Sequence, residues 1–466
     1  MLCLSSGLVA GPRGRSDART IPCGIITRGL FIVTLLVLAS RLPSVAAEDT
    51  LVGHWKGAMT HAGATVGVAF DFTMARGVLA GNFSSAQQRV LEYPFDSVAY
   101  SAPRIVIKLG GGDVIFSGTV THGVIRGTFR DRELGAGTFT VREIAQQAPP
   151  YSSEDVTFRN GNVALAGSLY VPSTPGQHPA IVFLQGSGPE VRWGANRFWA
   201  DYFARRGIAA LIYDKRGSGR SSGNWQTSDF NDLAGDAFAA IALLRSRPEI
   251  DPKHIGIHGH SQGATIAPLI AAQSSSVAFV VAVSGAAVPM WKSEIYSLHH
   301  AMTDAGIHGA ALRHADAFIA HVIEYARTGT GWAQVAAAQA SHPKEPWHDV
   351  LSVQKNSYFW PFFRKIANFD GAAYWRRVHV PVLIVQAGAD EHIPVEASTR
   401  AMRDALAAAN NPDYTIVVMP GAPHTFVVHP PPVPHFRWPF IYPGFADVLG
   451  AWVRYRTTDR TTTPAA

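Results

Sequence analysis

Two different hydrophobic patterns divide the chain. Over residues 48–145, apolar residues alternate with smaller or polar ones, as at Val66, Val68 and Phe70, and glycines separate the runs. A period of two is typical of strands with one buried face. The region therefore predicts an all-β accessory domain, a small antiparallel barrel or sandwich, followed by a linker over 146–153.

From residue 154 to 457, short apolar runs alternate with helical segments. This order predicts an α/β domain with a mostly parallel, doubly wound sheet and helices on both faces. Between about 286 and 374 the chain is helix-like and contains no convincing strand. An insertion of this size between two sheet strands is typical of a lid over an active site. Residues 458–466 are expected to form a disordered tail.

The first 47 residues have the pattern of a signal peptide. Arg28 precedes the apolar run 29–39, and the segment ends in the small residues Ala46 and Ala47. We expect cleavage after Ala47 and a secreted or periplasmic protein. A membrane anchor is the alternative, although the run is short for a span of roughly 20 residues. Both cysteines, Cys3 and Cys23, precede the expected cleavage site, so neither a disulfide nor a thiol nucleophile is expected afterwards.

The composition indicates a globular protein without a nucleic-acid partner. Of the residues, 47% are hydrophobic and 16% are charged. The net charge is +6, but five arginines against Asp17 place +4 within residues 1–47. Only +2 remains for the rest of the chain, whereas nucleic-acid binding requires clustered Lys and Arg on one face.

The motif G-x-S-x-G, which surrounds a nucleophilic serine, occurs twice. Around Ser261 it follows the apolar strand His254–His258 and opens the helix that starts near Ala264. A sharp strand-to-helix turn requires glycine on both sides of the serine and exposes the hydroxyl above the sheet. Around Ser221 it lies in a glycine-rich loop with no helix directly after it. Ser261 is therefore the predicted nucleophile, and Ser221 a structural residue.

Two further residues follow later strands of the predicted sheet. Asp390 ends the apolar strand that begins at Val382, and His424 follows the strand Thr415–Met419. The carboxyl ends of parallel strands meet at one sheet edge, so Ser261, Asp390 and His424 are expected to converge there. Their order, Ser then Asp then His, is that of the α/β-hydrolases.

Four motifs together resemble the α/β-hydrolase superfamily, and most closely its bacterial esterase, dienelactone-hydrolase-like and serine-aminopeptidase-like branch. They are Gly-His-Ser-Gln-Gly at 259–263, Asp-Lys-Arg-Gly-Ser-Gly-Arg-Ser at 214–221, Gly-Ala-Asp-Glu-His-Ile-Pro at 388–394, and Pro-His at 423–424. The resemblance implies that His424 is the catalytic base and that Asp390 orients it. Glu391 is the alternative acid, and His392 is a weaker alternative base.

The oxyanion hole of such an enzyme needs two backbone donors. The N–H of Gln262, directly after the nucleophile, is the first. The second is expected from the loop after strand Ala180–Leu184, at Ser187 or Gly186. Many relatives carry His-Gly at the start of this loop, whereas this chain has Gln185 in place of the histidine.

No cofactor or metal is assigned. His314, His321 and Glu324 have helical spacing, but solvated histidines on an amphipathic lid helix are the favoured interpretation. The aromatic cluster at 358–363 could line an acyl pocket or pack the lid onto the body. Trp55 is expected in a core or barrel end rather than on a sugar-binding surface.

The favoured function is an exported serine hydrolase that cleaves a carboxylic ester or related acyl bond of a small-molecule or acylated substrate. A peptidase or aminopeptidase and a thioesterase are alternatives within the same fold. A non-catalytic exported binding protein is the alternative from another class, in which the β-domain could contact a polymer or the cell envelope. The fold and the predicted triad do not select among these substrates.

Overall fold

The computed structural model describes residues 51–132, 135–428 and 440–458. The predicted leader 1–47, with Cys3 and Cys23, lies outside the described residues, as does nearly all of the predicted tail. Within the described ranges, no helix is sufficiently long and apolar to span a bilayer.

The predicted antiparallel β-domain is confirmed, as a single curled sheet that forms a half-barrel rather than a two-sheet sandwich. Its strand order is β4-β3-β2-β1-β9-β8-β7-β6-β5, so β4 and β5 lie at the two ends. Trp55 is buried in the concave core, and its indole N–H donates to the carbonyl of Leu51 at 3.0 Å. The strands are β1 (Gly53–His61), β2 (Ala64–Ala75), β3 (Val78–Ser85), β4 (Val90–Pro94), β5 (Ser97–Ser101), β6 (Arg104–Leu109), β7 (Val114–Thr121), β8 (Val124–Asp131) and β9 (Gly135–Ile144).

The predicted α/β body is also confirmed. Its eight-stranded sheet has the order β10-β11-β13-β12-β14-β15-β16-β17. The pairs β10–β11 and β11–β13 are antiparallel, and all others are parallel. The strands are β10 (Tyr151–Asn160), β11 (Val163–Pro172), β12 (His178–Leu184), β13 (Ala209–Tyr213), β14 (Ile250–His260), β15 (Phe279–Val283), β16 (Val382–Ala387) and β17 (Tyr414–Met419), with a small hairpin β18 (Val427–Val428) and β19 (Phe440–Ile441) beyond the sheet.

Strand β10 starts inside the segment 146–153 that the sequence pattern assigns to a linker. Tyr151 pairs with Pro172 of β11, its ring contacts Tyr170 at a centroid distance of 5.5 Å, and its hydroxyl donates to Asp201 at 2.6 Å. These contacts with the body order the second half of the segment.

Helices cover both faces of the sheet. The bounds are α1 (Ala195–Ala204), α2 (Phe230–Arg245), α3 (Gln262–Gln273), α4 (Met290–Asp304), α5 (Gly309–Thr328), α6 (Trp332–Ser341), α7 (Phe359–Ile366), α8 (Gly371–Trp375), α9 (Val395–Ala408) and α10 (Phe445–Thr457). Helices α1 and α10 share one core, and α2, α3 and α9 share the core of the other face. Strand β16 is apolar and buried along most of its length because both faces are covered.

Helices α4 to α8 form the insertion between β15 and β16 that corresponds to the predicted lid. Its aromatic segment is mostly buried against the body: the Phe362 ring contacts Trp225 edge-on at 5.5 Å, and Lys365 bonds to the carbonyl of Thr227. The segment therefore packs the lid onto the body, which is one of the two roles considered for it.

Candidate active site

Ser261 occupies the sharp turn between β14 and α3. Its φ of 56° and ψ of −119° are unfavourable for a residue with a Cβ. A Cβ on Gly259 would lie 2.3 Å from the backbone of Gly263, and a Cβ on Gly263 would lie 2.6 Å from the carbonyl oxygen of Leu184. Only glycine fits at both positions, so the motif is a steric requirement of this turn.

Ser221 has a different environment. Its hydroxyl donates to the carbonyl of Asp214 at 2.7 Å and accepts from the N–H of Ala166 at 2.9 Å. The first bond closes the glycine-rich loop, and the second connects that loop to strand β11. Ser221 is buried, and the next α-helix along the chain begins only at Phe230.

The structure brings Asp390 and His424 together. His424 Nδ1 lies 2.9 and 2.8 Å from the two carboxylate oxygens of Asp390. Burial alone would raise the pKa of Asp390, but the His424 ring and the N–H groups of His392 and Ile393 outweigh it and hold the pKa below its usual value. The carboxylate is therefore ionised at neutral pH and fixes Nδ1 as the donor, which leaves Nε2 free to accept a proton.

Glu391 and His392, the alternative acid and base, form no hydrogen bond with the His424 ring among the described residues. Glu391 accepts from the backbone N–H of His424 at 3.2 Å and not from its ring. His392 Nδ1 lies 2.9 Å from the hydroxyl of Ser297 in lid helix α4. Burial is the main cause that lowers the pKa of His392 to about 4, so this ring is neutral at pH 7.

His260 places the His424 loop beside the serine turn. His260 Nε2 donates to the carbonyl oxygen of His424 at 2.9 Å, and the two rings are 5.0 Å apart between centroids. Ser261 directly follows His260 and is half-buried. Among the described residues none forms a hydrogen bond with Ser261 Oγ. In enzymes without substrate such a bond is often long and tightens in the Michaelis complex.

The two expected oxyanion donors lie on adjoining segments. Gln262 is the first residue of α3, where its N–H has no intrahelical acceptor. The close approach of Gly263 to Leu184 brings this helix end against the loop after β12. Within that loop the N–H of Gly186 donates to Glu190 Oε2 at 2.8 Å. Of the two loop donors considered, Ser187 is therefore the one whose N–H is not used by Glu190.

Lys215 connects the loop after β12 to the start of helix α3. The sequence patterns did not assign this lysine a role. Its ammonium group is buried and donates to the carbonyl oxygen of Gly186 and to the side-chain oxygen of Gln262, both at 2.7 Å. Lys215 belongs to the motif Asp-Lys-Arg-Gly-Ser-Gly-Arg-Ser at 214–221, but that motif alone does not indicate what the ammonium group contacts.

A cavity of about 350 Å³ opens beside the serine turn, between the β-domain and the body. Arg89 of the β-domain and Glu190, His258 and His260 of the body line it. Burial lowers the pKa of His258 to about 4 and that of His260 to about 3, so both rings are neutral at pH 7. Sequence patterns could not identify Arg89, which lies in a separate domain.

The lid histidines form a different group from the one the helical spacing suggests. His314 Nδ1 lies 2.9 Å from Glu345 Oε1 and its ring stacks on His342 at 3.9 Å. The ligand atoms of these three residues lie within 4.8 Å of one another and could hold a cation. His321 and Glu324 are not members of this group.

The X-Pro dipeptidyl-peptidase (S15) family profile matches residues 160–422, which is more than half of the chain. A thiohydrolase from Arthrinium phaeospermum is 38% identical over 140 residues, covering 29% of this chain and 44% of the relative. The esterase EstD from Thermotoga maritima is 28% identical over 188 residues, covering 38% and 43%. The chain thus spans less than half the length of these curated relatives. A solved esterase structure from Pyrococcus furiosus, at 16% identity, covers 68% of this chain and 95% of that chain with a TM-score of 0.42.

Proposed function

Since this chain belongs to the X-Pro dipeptidyl-peptidase (S15) family of α/β-hydrolases, we propose that it is a serine hydrolase that cleaves carboxylic esters or related acyl bonds. The observation that carries the proposal is the contact of His424 with Asp390 beside the turn that presents Ser261. A serine hydroxyl is a weak nucleophile at neutral pH, and a base oriented by a carboxylate activates it.

The reaction would proceed through an acyl-enzyme. His424 Nε2 takes the proton from Ser261 Oγ while the oxygen attacks the carbonyl carbon of the substrate. The N–H groups of Gln262 and Ser187 stabilise the negative oxygen. The bond to the leaving group then breaks, and its oxygen takes the proton from His424. Water, activated by the same ring, adds to the acyl carbon and releases the acid from Ser261.

A fluorophosphonate probe tests the nucleophile directly. We expect Ser261→Ala to abolish covalent labelling and ester turnover. The second motif offers a matched control, because Ser221→Ala removes the other candidate hydroxyl and should remain labelled, with folding checked by thermal melting. Labelling of Ser261→Ala at the wild-type level would end the proposal.

The bond cleaved is a separate question, because the family description names a peptidase whereas the two relatives are named as a thiohydrolase and an esterase. We propose ester or thioester cleavage, since both need only the machinery described above. Nitrophenyl esters of varied chain length, acyl thioesters and X-Pro dipeptide nitroanilides, assayed side by side, distinguish the three classes. Turnover of the nitroanilides at the highest kcat/KM would assign a peptidase instead.

We also propose export through residues 1–47, supported by the basic flank, apolar run and small residues at 45–47. N-terminal sequencing of the protein purified from the exported fraction should begin at Glu48. Full-length protein found only inside the cell would contradict export.

A further inference from the structure

The cavity between the β-domain and the body contains an arginine that makes no direct ion pair with a described carboxylate. Arg89 is half-buried, and a terminal nitrogen of its guanidinium donates to the carbonyl of Thr425 at 3.1 Å. Among the described residues the guanidinium forms no direct ion pair and no other hydrogen bond. Burial lowers the pKa of Arg89 to about 10, and the Glu190 carboxylate in the same lining offsets only part of that shift. A cation withdrawn from water normally has an anionic partner. The remaining N–H donors of the Arg89 guanidinium are therefore available to a ligand.

A second residue of the cavity lining also points to a ligand. His258 is only 4% exposed and lines the cavity, yet its Nε2 has no hydrogen-bond partner among the described residues. Its ring is held between Phe183 and Trp199, with centroids 4.9 and 6.3 Å away. Buried polar atoms are nearly always hydrogen-bonded, so an orphaned nitrogen in a cavity wall marks a position for a ligand's polar group.

The charges around the cavity favour an anion. Arg89 is the cation and Glu190 the carboxylate of the described lining, and Glu190 Oε2 accepts a hydrogen bond from the N–H of Gly186. Burial raises the pKa of Glu190, which reduces its negative charge further. With His258 and His260 neutral, Arg89 is the positive charge of the described lining, and the buried Lys215 behind the wall acts on the Glu190 carboxylate.

The cavity also lies next to the chemistry. Thr425, which Arg89 contacts, directly follows His424, and Gly186 and His260 each precede a residue of the reaction centre. The ion pair between Glu92 and Arg197 of helix α1 holds the β-domain in this position. The volume of about 350 Å³ lies within the range of small-ligand sites.

From these observations we infer that the cavity is a substrate subsite in which Arg89 binds a carboxylate carried by the ester or thioester. This inference rests on the proposed function and adds a substrate class to it. The β-domain then supplies part of the active site, rather than serving only as an accessory module.

Three chromogenic esters test the subsite on the full chain. 4-Nitrophenyl hydrogen adipate carries a carboxylate on the acyl side, the hexanoyl ester of 5-hydroxy-2-nitrobenzoic acid carries one on the leaving group, and 4-nitrophenyl hexanoate is neutral. The wild type should favour one of the anionic esters over the neutral one in kcat/KM. Arg89→Gln should reduce this preference by about tenfold or more, the usual value of a charge-assisted hydrogen bond. Arg89→Lys should retain part of it.

Arg104→Gln removes an exposed arginine of the same domain and should leave the preference intact. If Arg89→Gln lowers kcat/KM for all three esters by one factor, or if the wild type shows no preference for either anionic ester, the subsite is refuted. Ser261-dependent cleavage without charge preference would keep the proposed function and remove the subsite. Calorimetric binding of adipate to Ser261→Ala that requires Arg89 would keep the subsite even if no ester were cleaved.

Discussion

The ammonium group of Lys215 donates a hydrogen bond of 2.7 Å to the side-chain oxygen of Gln262, the residue that follows the predicted nucleophile. The same group donates to the carbonyl of Gly186 at 2.7 Å. One buried cation therefore joins the start of helix α3 to the loop after β12, the two segments expected to supply the oxyanion donors. We therefore expect Lys215 to position these donors.

Lys215→Met should lower kcat for ester cleavage by about 10- to 100-fold with a smaller change in KM, because misplaced oxyanion donors weaken transition-state stabilisation. Steady-state kinetics well below the melting temperature measure this split. Lys253→Met, at an exposed lysine, is the control. A change confined to KM would argue that Lys215 contacts the substrate and does not position the donors.

Gly263→Ala should reduce fluorophosphonate labelling and turnover by about 100-fold, since small displacements of reacting groups cost factors of this size. The added Cβ would lie 2.6 Å from the Leu184 carbonyl and push α3 away from the oxyanion loop. Gly67→Ala adds a Cβ that meets only the end of Gln87 at 3.4 Å and serves as the control. Equal labelling rates in the two variants would show that the close approach is dispensable.

Asp390→Asn and Glu391→Gln distinguish the two adjacent acids. The Asp390 carboxylate bonds to the His424 ring, so its amide variant should lose about three to four powers of ten in kcat, as expected when the orienting carboxylate of a triad is neutralised. Among the described residues Glu391 accepts a hydrogen bond from the His424 backbone and none from the His424 ring, and its amide variant can still accept that bond. We expect less than a tenfold loss for Glu391→Gln. A reversed order would exchange the roles of the two acids.

The free energy of unfolding should fall as the pH drops from 7 towards 4. Below about 6.5 an unfolded histidine binds a proton, whereas the buried His258 ring, with a pKa of about 4, does not. Each such group removes about 1.4 kcal/mol of stability per pH unit between its two pKa values, and His260, with a pKa of about 3, and His392, with a pKa of about 4, add contributions of the same sign. The raised pKa values of the buried Glu190 and Glu294 oppose them, but these two carboxyl groups are fewer than the three histidines. The lowered pKa of Asp390 acts in the same direction as the histidines, but only at more acidic pH.

His258→Phe should remove one of these contributions, because the phenyl ring can keep the contact with Phe183 without titrating. Urea unfolding at pH 7, 6 and 5 should give a slope smaller by about 1.4 kcal/mol per pH unit than that of the wild type. His379→Gln controls for removal of an exposed histidine. Parallel curves for His258→Phe and the wild type would contradict the assignment of a neutral buried ring.

Much of the fold is evident from local patterns. The alternation at Val66, Val68 and Phe70 indicates a strand with one buried face, and the continuous apolar run 382–385 indicates a strand buried on both faces. The glycines around Ser261 follow from the steric demands of one sharp turn, and the ends of parallel strands converge by topology alone. For these reasons the sequence predicts the α/β class and the strand ends after which Ser261, Asp390 and His424 lie.

The tertiary structure decided the contacts between distant segments. The docking of the β-domain brings Arg89 to Thr425, and the packing of two loops brings Lys215 to Gly186 and Gln262. It also decided that the β-domain is an open half-barrel and that β10 begins at Tyr151. Periodicity records only whether a side chain is buried. Which partner it meets depends on how separately formed elements pack, and no local pattern contains that information.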